Sequence, residues 1–115
     1  NFSYVTIVTF RGEFPSHLCA IINPHMSIQE KINHSDTTIV DVRTPGEFIG
    51  GHVEGSINIP LSEVTIRLEE LKTMQPLVLC CASGGRSGQA TTYLAEQGLD
   101  VTNGGGWSVV AALKV

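Results

Sequence analysis

Cys81 is the residue of this chain best placed to act as a nucleophile, because of what stands on either side of it. The apolar run 76–80 begins with Pro76 and predicts a buried strand, and residues 86–97 predict a helix that Gly98 ends. A loop between strand and helix directs successive backbone N–H groups towards one point, and the helix N-terminus adds about half a positive charge there. Such a site favours the thiolate and lowers a cysteine pKa from ~8.5 to roughly 3.5–7.5. We therefore expect much of Cys81 to be ionised at neutral pH.

The loop after the predicted strand gives a second indication of chemistry. It reads Cys81-Ala82-Ser83-Gly84-Gly85-Arg86-Ser87. A cysteine in a strand is most often only a small buried hydrophobe. Gly84 and Gly85, however, indicate a backbone that curls tightly around something small, through φ values that a Cβ atom would penalise. The loop therefore favours a catalytic Cys81 over a structural one.

The length of this loop separates two kinds of chemistry. Cys81 and Arg86 enclose four residues, one fewer than the Cys-x5-Arg loop that holds phosphate in cysteine-dependent phosphatases. A tetrahedral oxyanion needs room for its equatorial oxygens, whereas one anionic sulfur on Cys81 needs only a small concave nest of N–H groups. The shorter loop points to sulfur chemistry, and the segment resembles the active-site loop of the rhodanese family of sulfurtransferases.

Three further segments resemble rhodanese motifs, and they stand in the family's order. Asp41-Val42-Arg43, followed by Glu47-Phe48, is similar to the family's Asp-Val-Arg and Glu-aromatic signature. Residues 51–60, Gly-His-Val-Glu-Gly-Ser-Ile-Asn-Ile-Pro, are similar to a second signature almost position by position. Residues 103–107, Asn-Gly-Gly-Gly-Trp, stand where the family carries a glycine pair and usually a tryptophan. With the Cys81 loop, the resemblance covers about residues 38–110.

The resemblance implies a sulfurtransferase that works by double displacement. The Cys81 thiolate would take sulfur from thiosulfate or a persulfide, and the resulting persulfide would pass it to cyanide, a thiol or a protein acceptor. The N–H groups from Ala82 to Ser87 would stabilise the anionic sulfur, as an oxyanion hole does for oxygen. Two alternatives stay open: a non-catalytic rhodanese-like module that binds partners, and a phosphatase or arsenate reductase that uses the same cysteine. The presence of Cys81 argues against the first, and the loop length argues against the second.

Other polar residues in these motifs are predicted to be mainly structural. Arg86 can either steer an anionic donor or pair with a carboxylate that fixes the loop, because a guanidinium suits both tasks. Asp41, Arg43 and Glu47 lie beside a buried strand, where charges require partners, and we expect a hydrogen-bonded cluster. His52 could serve as a general base, but its motif favours a hydrogen-bonded structural histidine.

Two apolar residues, Cys80 and Trp107, are expected to have no direct role in the reaction. Cys80 adjoins the nucleophile, but successive strand side chains face opposite sides of a sheet, so its sulfur is expected to point away from Cys81. Trp107 is expected to lie in the core.

Composition limits the size and the partners of the protein. With 115 residues and a net charge of −4, the chain fits one domain and offers no basic surface for nucleic acid. Its three cysteines and four histidines lack the spacing of a disulfide framework or a metal site, and we expect neither metal nor cofactor. No apolar stretch reaches the ~18 residues of a membrane span. We expect the cytoplasm, with a bacterial periplasm as the alternative.

The order of predicted elements indicates one α/β rhodanese-like domain over residues 26–115. Strands are predicted at 38–42, 57–60, 77–81 and 99–102. Helices are predicted at 26–33, 45–49, 62–72 and 86–97. Ser62 is the expected N-cap of the third helix, and Gly98 the left-handed residue after the fourth. Alternating strands and helices imply a mainly parallel sheet of four or five strands with helices on both faces.

Residues 1–25 match none of the motifs. Tyr4–Phe10 alternates like a strand, and Arg11–Pro15 breaks the pattern. The basic start, long apolar core and small-residue cleavage site of a secretory signal are not evident. Three interpretations of this segment stay open: a strand of the domain, the remnant of a leader, or residues foreign to the natural protein.

Overall fold

A computed structural model describes residues 26–115, so the expectations for residues 1–25 lie outside the described part. Within that part, strands form one parallel sheet in the spatial order β2-β1-β3-β4. The strands are β1 Thr38–Asp41, β2 Ile57–Asn58, β3 Leu77–Cys81 and β4 Val101–Gly106. All five residues of β3 are buried, as expected for an inner strand covered on both faces. The predicted parallel α/β sheet is confirmed.

Five α-helices connect and cover the strands within residues 26–115. They are α1 Ile28–Asn33, α2 Pro45–Ile49, α3 Leu68–Lys72, α4 Gly85–Glu96 and α5 Trp107–Leu113. Capping boxes begin the first two, with Ser27 and Glu30 at α1 and Thr44 and Glu47 at α2. Pro45 occupies the first turn of α2, as predicted, where its missing N–H would have had no helical partner.

Two apolar clusters lie on opposite faces of the sheet, one against α3 and α4 and the other against α1 and α5. Alternate residues of β3 contribute to them, with Leu77, Leu79 and Cys81 in the first cluster and Val78 and Cys80 in the second. Helices on both faces are thus confirmed. The prediction that Cys80 points away from Cys81 is also confirmed.

The C-terminal end of α4 has the predicted glycine stop. Gly98 has φ +88°, and its N–H donates to the carbonyl of Ala95 at 3.0 Å. The N–H of Leu99 donates to the carbonyl of Leu94 at 3.1 Å, which completes a Schellman motif. This motif satisfies carbonyls that the helix would otherwise leave unpaired, and it turns the chain towards β4.

The segment 61–72 differs from the predicted helix. It forms a 3₁₀ turn, Leu61–Glu63, and further turns before α3, so Ser62 is not the N-cap of a long helix. Val64, Thr65 and Ile66 are three β-branched residues in succession, and such residues lose χ1 freedom in a helix. The predicted apolar stripe still packs in the first cluster, as Leu61, Val64, Leu68 and Leu71.

β4 begins at Val101 rather than at residue 99 and continues through three glycines. Its pairing with β3 changes register, because Leu79 lies opposite Asn103 while Cys80 lies opposite Gly105. Gly104 is therefore the extra residue of a bulge-like irregularity. The other strands also deviate at their ends, since β1 and β2 stop one and two residues before the predicted ends at 42 and 60.

Candidate active site

A short loop joins Cys81, at the carboxyl end of β3, to the start of α4. Gly84 precedes α4 with φ +107°, a left-handed conformation that side chains disfavour. Gly85 already belongs to α4, has no such φ, and a Cβ there would meet nothing within 4 Å. The prediction that a Cβ would be penalised therefore holds for Gly84 and is wrong for Gly85, because only one left-handed residue is needed to enter the helix.

The end of β4 lies directly against this loop. A Cβ added at Gly106 would come within 2.9 Å of the carbonyl oxygen of Ala82. Ala82 and Ser83 are themselves exposed on the outer side of the loop. This close backbone approach explains why β4 ends in glycine.

The loop closes on the sulfur of Cys81 itself. The Gly84 N–H donates to Sγ at 3.0 Å, and the Ser87 N–H donates to Sγ at 3.4 Å. The hydroxyl oxygen of Ser87 also lies 3.4 Å from Sγ. Cys81 is only 1% exposed, so these protein groups replace most of the water that would surround a free thiol.

Opposing effects set the pKa of Cys81. Burial is the largest single influence and raises the pKa, because it disfavours the charged form. Hydrogen bonds to the anion, from the Ser87 hydroxyl and from the N–H groups of Ser87, Gly84 and Ser83, together outweigh burial and lower the pKa to about 7. At pH 7 about half of the Cys81 side chains are therefore ionised.

Arg86 and Glu47 form a bidentate ion pair. Nη1 of Arg86 lies 2.8 Å from Oε1 of Glu47, and Nη2 lies 3.1 Å from Oε2. The same carboxylate accepts from the Thr44 N–H in the capping box of α2. Arg86 first, and Thr44 second, hold the pKa of Glu47 down at about 2. Of the two roles predicted for Arg86, pairing with a carboxylate is the one present in the structure.

Asp41 and Arg43 form a buried ion pair at the end of β1. Arg43 donates from Nε to both Asp41 oxygens at 3.0 Å and from Nη2 to Oδ2 at 2.7 Å. Its guanidinium also donates to the Gly51 carbonyl at 2.6 Å and lies 4.9 Å from the ring centre of Trp107. Asn58 donates to the carbonyls of both charged residues. This cluster holds β1, β2 and α5 together, as a structural group does.

Two predictions, for Glu47 in the charged cluster and for Trp107 in the core, differ from the structure. Glu47 does not join Asp41 and Arg43 but pairs with Arg86, because it lies on the first turn of α2 and faces the start of α4. Trp107 is partly buried against the second apolar cluster rather than lying fully in the core. It directly follows the last residue of β4, and its ring packs beside Arg43 at the edge of that cluster.

His52 and Cys80 have surroundings that fit structural roles. Nδ1 of His52 lies 2.7 Å from the carbonyl oxygen of Phe48, and the two rings stack with centres 3.7 Å apart. This is the hydrogen-bonded histidine that the sequence predicts. Cys80 is fully buried, and burial raises its pKa to about 12, so its thiol stays protonated at neutral pH.

Asn103 is a residue at the site whose role the sequence did not indicate. From β4, its Nδ2 donates to the Gly84 carbonyl at 3.3 Å. Its Oδ1 accepts from the Ser87 hydroxyl at 2.7 Å and from the Gly105 N–H at 3.0 Å. No local pattern reveals a contact between residues so far apart in the chain. The N-cap at Thr44, in contrast, could have been found from the sequence, because Thr-x-x-Glu is the signature of a capping box.

Residues 26–115 contain neither a candidate metal site nor a candidate membrane-spanning helix. No group of three or more His, Cys, Asp or Glu side chains in this part of the chain could hold a metal ion. None of its helices is long and apolar enough to cross a membrane.

Comparison with known proteins places this geometry in a family. A model of the rhodanese-like domain matches residues 26–112. The uncharacterized protein YqhL of Bacillus subtilis is 45% identical over 60 residues, which are 52% of this chain and 48% of that protein. The chain thus spans about half the length of that relative. Thiosulfate sulfurtransferase PspE of Escherichia coli is 40% identical over 82 residues, 66% of this chain and 76% of that protein.

The fold is similar to solved structures as well. The structure of a rhodanese with anions from Escherichia coli has a TM-score of 0.57 and 38% identity, and the match covers 65% of this chain and 92% of that one. A rhodanese-related protein from Thermoplasma volcanium has a TM-score of 0.60 and 34% identity, with 67% and 77% covered. Because the family model spans the Cys81 loop and all four strands of the described residues, this chain belongs to the family of rhodanese-like domains.

Proposed function

We propose that this protein is a sulfurtransferase that carries sulfur as a persulfide on Cys81. The observation that carries the proposal is that Sγ of Cys81 accepts hydrogen bonds from the N–H groups of Gly84, at 3.0 Å, and Ser87, at 3.4 Å. Burial raises the pKa of Cys81, but the Ser87 hydroxyl and the backbone donors together outweigh it and lower the pKa to about 7. A thiolate available at neutral pH is what nucleophilic attack on a donor sulfur requires.

The proposed reaction has two displacements. With thiosulfate, the Cys81 thiolate attacks the outer sulfur, a new S–S bond forms, and sulfite leaves with the electron pair of the broken S–S bond. With a persulfide donor, a thiolate is the leaving group. Cyanide or a thiolate then attacks the outer sulfur of the Cys81 persulfide, which yields thiocyanate or a new persulfide and restores the Cys81 thiolate. No external oxidant or reductant is needed.

Two features argue against phosphate as the substrate. The loop donors are directed at Sγ itself, whereas a phosphatase needs them for the phosphate oxygens beyond the sulfur. Arg86, the residue that would clamp a phosphate, has both of its terminal nitrogens on Glu47. A module that only binds partners would have no use for a thiol with a lowered pKa.

The substrates and the compartment are part of the proposal. PspE is named a thiosulfate sulfurtransferase, and we propose thiosulfate or a small persulfide as the donor here too. Cys81 is 1% exposed, which favours small donors over bulky ones. The proposed acceptors are cyanide in the assay and a thiol or a protein cysteine in the cell. We propose the cytoplasm as the compartment, because its thiol pool supplies acceptors.

A cyanide assay tests this function. Wild-type protein should form thiocyanate from thiosulfate or glutathione persulfide, and should hydrolyse p-nitrophenyl phosphate negligibly. Cys81→Ser should lose thiocyanate formation, whereas the matched control Cys80→Ala should keep it. Phosphatase turnover that depends on Cys81, or equal thiocyanate formation by wild type and Cys81→Ser, would refute the proposal.

A further inference from the structure

Two backbone groups fix the orientation of the Asn103 amide. The Gly105 N–H can only donate, so the atom that it meets at 3.0 Å must be Oδ1. The Gly84 carbonyl can only accept, so the atom that it meets at 3.3 Å must be Nδ2. Because Oδ1 cannot donate, the Ser87 hydroxyl, 2.7 Å from it, is the donor in that contact. The single hydroxyl proton of Ser87 is thereby committed to Asn103.

While this bond exists, Ser87 presents only oxygen lone pairs to the sulfur of Cys81. Its Oγ lies 3.4 Å from Sγ, where it can accept from the thiol S–H but cannot stabilise a thiolate. Rotation of the hydroxyl about the Cβ–Oγ bond would redirect the proton to Sγ and break the bond to Asn103. The Ser87 hydroxyl can therefore donate its one hydrogen bond to the Asn103 oxygen or to the sulfur, but not to both.

We propose that Asn103 is a positioning residue that controls the Ser87 hydroxyl. The hydroxyl donates to Asn103 while Cys81 is a thiol, and it turns to Sγ when the sulfur becomes anionic. The proton stays on the Ser87 oxygen throughout, and only its direction changes. This inference deepens the proposed function, because the anionic sulfur of the reaction is the state that the turned hydroxyl stabilises. Its first half, the exchange between thiol and thiolate, can be tested without sulfur transfer.

The surrounding charges do not change when Asn103 is replaced. The charged and titratable groups around the two thiols come from four elements other than β4. They are Arg86 on α4, Glu47 on α2, Asp41 and Arg43 at the end of β1, and Cys80 on β3. Residues 101–113, which form β4 and α5, contain no ionisable side chain. A shift in the Cys81 pKa of a neutral Asn103 variant therefore reports hydrogen bonding and loop geometry, not a new charge.

The test is the pH dependence of Cys81 alkylation by iodoacetamide in the full chain. Fragment ions of the peptide that contains both Cys80 and Cys81 assign the alkylated residue, so that the other cysteines do not contribute. Asn103→Ala removes the competing acceptor, so the Ser87 hydroxyl can donate to the thiolate without losing another hydrogen bond. The Cys81 pKa should therefore fall by about half a unit to one unit. In a Ser87→Ala background the same substitution should leave the pKa unchanged. The proposal would be overturned if Asn103→Ala raised the Cys81 pKa, or left it unchanged, in the protein that keeps Ser87. Equal pKa shifts with and without Ser87 would also overturn it.

Asn103→Asp provides a second test should the alanine variant not fold. The carboxylate binds the hydroxyl more strongly and also adds a charge, so the Cys81 pKa should rise more with Ser87 present than in Ser87→Ala. Equal rises in both backgrounds would contradict the proposal. Thiocyanate formation is measured separately. A protein with the expected pKa pattern but no sulfur transfer would support the role of Asn103 and refute the proposed function, so the two failures are distinguishable.

Discussion

Arg86 and Glu47 lie 39 residues apart in the chain, and their side chains join the starts of α4 and α2. Their ion pair uses both terminal nitrogens of the guanidinium and both carboxylate oxygens. Glu47 is itself fixed by the capping box at Thr44, so the Arg86 end of the Cys81 loop is anchored to a rigid turn. We infer that Arg86 supports the loop rather than steering the donor.

Charge-neutral variants separate these two roles of Arg86. We expect Arg86→Gln and Glu47→Gln to lower kcat alike, by up to about 100-fold, because each releases the loop from its anchor. Gln is also accepted in a capping box, so α2 should keep its start in Glu47→Gln. KM for thiosulfate should stay close to the wild-type value in both. If Arg86→Gln raises KM while Glu47→Gln lowers it, the guanidinium steers the anionic donor instead.

The pH dependence of Cys81 follows from its pKa of about 7, which lies below the ordinary value of a cysteine thiol. Alkylation should reach half its maximal rate near pH 7. A lowered pKa in the folded state contributes stability that is present above the unfolded-state pKa and is lost as pH falls through the folded-state value. Urea unfolding should therefore show wild type losing stability between pH 9 and pH 7 relative to Cys81→Ser. Parallel stabilities of the two proteins over that range would contradict the thiolate assignment.

The two loop glycines offer a matched pair of substitutions. Gly84→Ala places a side chain at φ +107° and should displace the N–H that donates to Sγ, so the Cys81 pKa rises. Gly85→Ala adds a methyl group in open space at the start of α4 and should leave the pKa unchanged. Iodoacetamide alkylation against pH measures both variants. Equal behaviour of the two would show that the left-handed residue is not what positions the donor.

The sequence was sufficient for the parts of the site that depend on local pattern. An apolar run followed by glycines located Cys81 at the junction of β3 and α4, and strand alternation separated it from Cys80. The two glycines, however, look identical in sequence, and only the entry of the chain into α4 makes Gly84 the one that needs a left-handed φ. Local patterns locate the loop but do not determine its individual dihedral angles.

The contacts that could not be predicted are those between distant segments. Asn103 lies opposite Leu79, on the sheet face that α4 covers, and no local signal in the sequence reveals that pairing. The choice of Arg86 as the partner of Glu47 depends on how α2 and α4 meet. The prediction of Ser62 as a helix N-cap was wrong for a different reason. The β-branched residues 64–66 disfavour a continuous helix, although a capping residue and an apolar stripe at helical spacing are both present.

The described residues 26–115 contain a four-stranded sheet, two apolar clusters and the Cys81 loop. We therefore propose that these residues form the rhodanese-like domain, and we expect a chain that starts at Met26 to fold and to transfer sulfur. Thermal unfolding and thiocyanate formation, compared with the 115-residue chain, check this. Loss of cooperative unfolding in the shorter chain would show that residues 1–25 belong to the domain.

The central claim is that Cys81, and not Cys80, carries the transferred sulfur. Mass spectrometry of the intact protein and of the peptide containing both residues, after incubation with thiosulfate or glutathione persulfide, tests it directly. Wild type and Cys80→Ala should gain the mass of one sulfur atom at this peptide, and a reductant should remove it, whereas Cys81→Ser should gain none. Sulfur retained on Cys81→Ser but lost from Cys80→Ala, or no added sulfur on wild type with either donor, would contradict the claim.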